Sequence, residues 1–298
     1  MNLEPLDIAQ LYIQQKTRLL SVAYRMLGTR TEAEDVVQDV FTTVHAVDVA
    51  SVQNLEAYML RMVVNRCLNT LQSARYQREV YTGPWLPEPV IQTAERTDPL
   101  ASLEQAESVS YAMLVVLERL NPIERAVFVL RDILRFDYDE IADMVGKSAV
   151  NCRKIHSRAK QKLGQEPKTH MTDENVMRDY INRFIHGVKT GDFSGFIQVL
   201  TEDVQMVSDG GGRVRSALRP IYGQDKVVRF ILGISRRGAL QGTYQCALVN
   251  GHPGMLLYHG PTLHGVLSLA CDAQGVNRIY YLVNPDKLVR ISACPPPQ

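Results

Sequence analysis

The stretch from Asp137 to Leu163 constrains this chain more than any other, because it carries two helical periods separated by a single glycine. Asp137, followed three residues later by Glu140, is an acidic form of a capping box and predicts a helix start. Ile141, Met144 and Val145 give that helix one apolar face. Gly146 predicts its end, since glycine enters the left-handed conformation without steric cost. Ser148 then caps a second helix, in which Cys152, Ile155, Ala159 and Leu163 share one side. Lys154, Ser157 and Gln161 point the opposite way, flanked by Arg153 and Arg158. Two short helices about a tight glycine turn, the second with a basic outer face, form a helix-turn-helix. The second helix of that motif is the one that enters a DNA major groove.

Charge supports this reading. Between Lys147 and Lys168 the cations are Lys147, Arg153, Lys154, Arg158, Lys160, Lys162 and Lys168, against Glu166 alone. The whole chain has a net charge of only +1, so the basicity is a local patch of the kind that phosphate attraction requires. The motif taken alone is also compatible with a plain helical hairpin whose basic face is merely solvated.

At 298 residues the chain has room for two or three domains. It has no apolar run of membrane-spanning length. Met1 to Gln10 carries Glu4 and Asp7 and lacks a basic segment followed by an apolar core, which is not a signal peptide. The expectation is a cytoplasmic protein without a membrane partner. Five scattered cysteines (Cys67, Cys152, Cys246, Cys271 and Cys294) never fall within metal-ligand spacing, so reduced thiols, several of them buried, and no metal or cofactor are expected.

Residues 6 to 80 read as nearly all helix. A first helix runs through Ile8, Leu11, Leu19, Leu20 and Leu27 to Gly28. A second, from near Thr31, has an apolar stripe of Val36, Val37, Val40, Phe41 and Val44. Its opposite stripe, Asp35, Gln38, Asp39 and Thr42, is an ordinary solvated face or a docking surface for a basic helix. A third helix, capped by Asn54, carries Arg61, Asn65, Arg66 and Asn69 on its outer faces, and Arg75, Tyr76 and Arg78 follow. Cations interleaved with amides and an aromatic suit an unstacked single strand, although an ordinary amphipathic helix explains the segment as well. Residues 82 to 108 hold Gly83, Pro84, Pro87, Pro89 and Pro99 and read as a linker between two helical modules. Trp85, the only tryptophan, lies in this stretch, and we expect it to anchor on a folded surface. Asn121 and Pro122 start the helix that leads into the helix-turn-helix.

These segments carry a family pattern. Glu32 to Phe41 (EAEDVVQDVF) resembles the region 2 signature of extracytoplasmic-function sigma factors, and Asn54 to Asn69 resembles the rest of that region. Asn69 departs from the aspartate that the family often has there. The helix-turn-helix resembles region 4. Trp85-Leu86-Pro87-Glu88-Pro89, Asp209-Gly210-Gly211-Gly212-Arg213 and Asn284-Pro285-Asp286-Lys287-Leu288 are similar to three signatures of the subgroup with a fused SnoaL-like domain. The resemblance implies an alternative sigma factor that binds core RNA polymerase and directs promoter recognition and transcription initiation. Region 2 would dock on the β′ clamp helices through Asp35, Gln38, Asp39 and Thr42. It would hold the −10 strand through Arg61, Asn65, Arg66, Arg75 and Arg78. Region 4 would touch the β flap and read the −35 element through Ser148, Asn151, Arg153, Lys154, Ser157 and Arg158. The fused domain would regulate in cis, and the three signatures would be its contacts with the sigma core or linker.

The expected architecture is multidomain: an all-α region 2 bundle over residues 1–81 and a linker over 82–108. An all-α region 4 helix-turn-helix over 109–168, an α+β SnoaL-like cone over 171–292 and a tail over 293–298 complete it. In the cone, helices from about Thr172 and Asp225 accompany strands at Val204, Tyr244, Met255, Val266 and Val276. The glycine run beside Asp209 reads as a tight turn approached by another segment, with Arg213 and Arg215 continuing into a strand. Such a cone usually has an open pocket, which leaves room for an unidentified small ligand. Acid–base candidates there are His186, Asp209, Tyr258, His259 and His264. Two other readings remain at this point. One is a one-component, ligand-sensing transcriptional regulator, which leaves the Asp35 to Phe41 pattern unexplained. The other is a SnoaL-like enzyme with a DNA-binding passenger.

Overall fold

The structure is a computed structural model that describes residues 5–46, 52, 54–73, 81–92, 110–164 and 173–291, with side chains from residue 14 onward. The chain divides into two compact units. The first joins Met1–Val80 to Met113–Glu166, and the second joins Tyr81–Ala112 to Pro167–Gln298.

The described part of the first unit is helical. Helix α1 (Pro5–Leu27) stops at Gly28, whose positive φ of 72° lets its N–H close on the Tyr24 carbonyl. Helix α2 (Arg30–Ala46) buries Ala33, Val36, Val37, Val40, Phe41 and Val44, so the apolar stripe of the sequence is the core stripe. In helix α3 (Leu55–Gln72) the cap is Asn54, whose side chain accepts the Ala57 N–H, and Met59, Leu60, Val63, Val64, Cys67 and Leu68 face inward. These three helices pack on one another.

Helix α4 (Tyr111–Leu117) precedes α5 (Pro122–Phe128), which opens on a complete capping box of Asn121 and Glu124 with Pro122 at its first position. Its last turn widens into a π-helical turn, Val129–Ile133, before α6 (Tyr138–Val145) and α7 (Ala149–Leu163). Helix α3 also packs on α5 and α6, so the two helical regions share one interior. Arg125, 4% exposed, is a fastener between them. It donates to the Met26 carbonyl at 2.7 Å and grips the Glu118 carboxylate at 2.6 and 2.8 Å, a bidentate geometry that holds a buried cation well.

The second unit is built on a seven-stranded sheet of order β1-β4-β5-β6-β7-β2-β3. Its strands are β1 (Ile91–Gln92), β2 (Leu200–Asp209), β3 (Ile221–Tyr222), β4 (Thr243–Val249), β5 (His252–His259), β6 (Thr262–Asp272) and β7 (Gly275–Leu282). All pairings are antiparallel except β2 with β7. Helix α8 (Glu174–Thr190) packs on β5 and α10 (Gln224–Arg236) on β2, with the short α9 (Ser194–Ile197) against α8. Their shared core includes Ile181, Phe184, Phe193, Phe196, Val227, Ile231, Leu267 and Ile279. A last helix, α11 (Pro285–Ile291), lies against β6.

Two features depart from the sequence reading. Residues 81–92 are built into the second unit, and Ile91 and Gln92 add an edge strand to β4. Prolines bar a helix there but leave an extended edge strand open, and two residues are too few for an alternating pattern to show. Arg213 and Arg215 do not continue a strand; β2 ends at Asp209, and Gly210 to Pro220 is turn and irregular chain. The Arg213 and Val214 N–H groups close on the Gly210 carbonyl instead.

Candidate nucleic-acid and polymerase-binding sites

Local hydrogen bonds shape the helix-turn-helix. Asp137 Oδ1 accepts the Asp139 and Glu140 N–H groups at 2.9 Å, and Glu140 Oε2 accepts the Asp137 N–H at 2.9 Å. Gly146 turns the chain with φ 64°, and a Cβ there would meet nothing within 4 Å, so the conformation rather than space demands glycine. Ser148 Oγ accepts the Asn151 N–H and starts α7. Ser148, Asn151, Arg153, Lys154, Ser157 and Arg158 are all exposed, as a reading face must be. Helix α7 buries Cys152, His156 and Ala159, while Ile155 and Leu163 are only half-buried.

His156 is the residue that sequence reasoning missed. Its Nε2 sits 2.6 Å from Asp132 Oδ2 and its Nδ1 2.8 Å from the Tyr138 hydroxyl. It therefore ties the π-helical turn, the start of α6 and the middle of α7 together. Its spacing from Cys152 and Ala159 was the available signal, obscured because histidine is ordinarily counted as polar. The Tyr138 ring in turn carries the Arg131 guanidinium at 4.7 Å and the Arg153 guanidinium at 5.1 Å. Two cations of the patch, though exposed, are paired with acids: Lys162 Nζ donates to both Glu124 oxygens at 2.7 Å, and Lys160 lies 3.5 Å from Asp132. Burial alone would raise the Glu124 pKa. The Lys162 ammonium and the Asn121 N–H outweigh it and hold the carboxyl below its ordinary value.

On α2, Asp35, Gln38, Asp39 and Thr42 are exposed along one stripe. On α3, Arg61 and Asn65 are exposed. Arg66 is drawn away from them: it donates to Asp39 Oδ2 at 2.9 Å and Thr43 Oγ1 at 2.8 Å, and so belongs to the α2 stripe in this arrangement. Arg75 and Arg78 lie outside the described residues, as does Cys294. Of the other cysteines, Cys67, Cys152 and Cys271 are buried and Cys246 is exposed. Burial pushes the Cys271 thiol up to about 12, so it stays protonated.

The three signatures of the second unit meet at one buried carboxylate. Asp209, 0% exposed at the end of β2, accepts four donors. They are the Tyr81 hydroxyl at 2.5 Å and the Gly211 N–H at 3.0 Å on Oδ1, and the Leu86 N–H at 2.9 Å and Lys287 Nζ at 2.8 Å on Oδ2. Lys287 Nζ also donates to the Leu86 carbonyl and lies 4.0 Å from the Trp85 ring centroid. Asn284 Nδ2 donates to Tyr81, and Arg290 donates to the buried Glu88 at 2.9 Å. Leu86, Pro87, Glu88 and Pro89 are buried, as are Gly210 and Leu288. Gly212 is exposed, Pro285 opens α11, and Arg213 and Asp286 form an exposed pair at 3.4 Å. Gly211 needs glycine twice over: its φ is +60°, and a Cβ would collide with the Asn284 amide. Burial, and then the Asp209 carboxylate, push the Tyr81 phenol above its ordinary value and keep it a donor.

The expected acid–base residues do not converge. Asp209 is spent in this clamp, and Tyr258 is fully buried. His259 and His264 stack on each other with centroids 4.0 Å apart. His186 lines an open groove of about 440 Å³ with Asp179, Asn182, Arg183 and Asp192. Against the sheet the helices pack closely on one another. Phe184 packs edge-on to Phe193 and Phe196, and the gap between Phe193, Phe196, Val228, Ile231 and Leu232 cannot admit a water.

A helical unit whose helix-turn-helix exposes a basic helix face and whose α2 exposes an acidic stripe, joined to an α+β domain, is the layout of a sigma-type transcription initiation factor. Residues 11–76 match Sigma-70 region 2, and residues 111–163 match Sigma-70, region 4. The ECF RNA polymerase sigma factor SigJ of Mycobacterium tuberculosis is 35% identical over 282 residues, 91% of this chain and 90% of that protein. The probable ECF sigma factor SigI of the same species is 29% identical over 273 residues, covering 91% of both. A crystal structure of SigJ superimposes with a TM-score of 0.77 at 32% identity, covering 94% of this chain and 98% of that one. The chain belongs to the extracytoplasmic-function RNA polymerase sigma factors. Its sheet domain corresponds to the SnoaL-like domain of SigJ. It is an alternative sigma factor that directs promoter recognition, and its partners are core RNA polymerase and promoter DNA. No helix among the described residues is long and apolar enough to cross a membrane.

Proposed function

We propose that the second unit regulates initiation in cis by gripping the segment that connects regions 2 and 4. The observation that carries this reading is the buried Asp209–Lys287 pair closed around Trp85 and Leu86. While residues 81–92 are held, they are lost to the connection between the regions. Their release would free up to about 40 Å of extended chain, at about 3.4 Å per residue. Promoter elements at −10 and −35 lie about 25 base pairs apart, or about 85 Å at 3.4 Å per base pair. A change of that size in the tether matters to whether both elements are engaged together.

In the same proposal the α2 stripe of Asp35, Gln38, Asp39 and Thr42 docks on the basic β′ clamp helices. Arg61, Asn65 and Arg66 meet the −10 strand, Arg66 after exchanging Asp39 for phosphate. Ser148, Asn151, Arg153, Lys154, Ser157 and Arg158 meet the −35 groove, with region 4 also against the β flap. The role is non-enzymatic and is exercised in the cytoplasm, where the template is. In support, all acceptor sites of Asp209 are occupied by donors, which leaves it unfit as a general base.

The test is run-off transcription with core RNA polymerase. Asp35→Ala/Asp39→Ala should lose polymerase capture, and removing residues 171–298 or releasing the grip with Lys287→Met should change promoter-dependent transcript yield. Equal yields from intact and released proteins would sink the regulatory reading.

A further inference from the structure

Val150 stands out on α7. It is 60% exposed, although the helix is otherwise polar on its outer side. At about 100° per residue, Val150 lies within about 40° of Lys154 and about 20° of Ser157 and Gln161. It lies about 180° from Ala159 and about 200° from Cys152, the two most buried residues of the helix. It is therefore central to the exposed face and opposite the core. Valine is a poorer helix former than alanine, so the fold of α7 gains nothing from it. Its position, two residues after the Ser148 cap, is on the first turn, the part of a recognition helix that contacts base edges.

We propose that Val150 is a specificity-determining residue that reads the C5-methyl group of a thymine in the upstream promoter element. Thymine alone presents a methyl in the major groove, and an apolar side chain flanked by Asn151 and Lys154 is the group that recognises it. Asn151 and Lys154 supply amide and cationic contacts beside it, so the methyl contact selects thymine against cytosine where charge cannot. This inference rests on α7 being the −35 reader proposed above.

The experiment uses the full chain with core RNA polymerase and a duplex promoter fragment that yields a run-off transcript. Each thymine of the upstream element is replaced in turn by deoxyuridine, which keeps the pairing and the O4 acceptor and lacks only the methyl. One position should bind the wild-type holoenzyme about fourfold more weakly, the effect of removing one buried methyl-sized contact. Val150→Ala should bind the thymine and deoxyuridine fragments alike at that position, and its exposure makes the variant fold normally. Uniform indifference of the wild type to deoxyuridine overturns the proposal, as does a Val150→Ala protein that keeps the deoxyuridine penalty. Arg153→Ala/Lys154→Ala separates the parent reading: it should weaken binding to every fragment. If it weakens none, α7 is not the reader, and the methyl contact falls with it.

Discussion

Replacing Lys287 by methionine removes one charge from a buried pair and leaves nearly the same volume. Breaking such a pair from one side costs about 3–5 kcal/mol, because the remaining charge is uncompensated. Here the lower end applies. Asp209 keeps Tyr81, Leu86 and Gly211 as donors, and the methionine stem still covers Trp85. The Leu86 carbonyl loses a donor. About 3 kcal/mol converts to roughly a 150-fold change in an opening equilibrium, at 1.36 kcal/mol per factor of ten. The Leu86 N–H reports directly, since it donates to Asp209 in the closed clamp. Its hydrogen exchange in the full chain should speed up by about two orders of magnitude, and fluorescence of Trp85, the only tryptophan, should shift in parallel. The double variant Asp209→Asn/Lys287→Met should lose less than the sum of the single variants, since it removes both charges. An exchange change below about threefold would mean that the pair is worth no more than an exposed one, and the clamp argument would fail.

Three further outcomes follow from the same geometry. His156→Ala leaves Asp132 and Tyr138 without their shared partner and opens a cavity, and it should cost about 2–4 kcal/mol by urea unfolding. A cost under about 1 kcal/mol would remove His156 from its bridging role. Gly146→Ala should cost only the left-handed strain of about 1–2 kcal/mol, whereas Gly211→Ala should cost more and also release Trp85, because it displaces Asn284; equal melting shifts would contradict this. Glu124, held below the ordinary glutamate value, stabilises the first unit above about pH 4.3, and that contribution is lost as pH falls through its lowered folded value. Acid unfolding of Glu124→Gln should therefore be flatter in that window, and an unchanged profile would refute the assignment.

The helix-turn-helix was legible in the sequence because its determinants are local. A capping box, a left-handed glycine and a serine cap act within three or four residues, and the structure forms each of them. The apolar stripe of α2 and the cap and apolar face of α3 were legible for the same reason. What the sequence could not show depends on residues far apart along the chain. Leu86, Asp209 and Lys287 meet across separations of 123 and 78 residues; the family resemblance pointed to contact between these signatures and the linker, but no periodicity encodes which atoms pair. Asp and Lys side chains are ordinarily exposed, yet here Asp209 and Lys287 are buried, and each supplies the partner that makes burial of the other tolerable. The family resemblance implied a DNA contact for Arg66, and only the packing of α3 on α2 gave it Asp39 and Thr43. The packing of α8 on α9 was likewise decided by side-chain volume: three phenylalanines, ordinary apolar residues in the sequence, interlock there. The sequence by itself thus determined which segments are helices and which faces they leave to solvent, because those choices are set by near neighbours. The tertiary structure alone decided which buried charges pair and what space remains, because both depend on which distant segments the fold brings into contact.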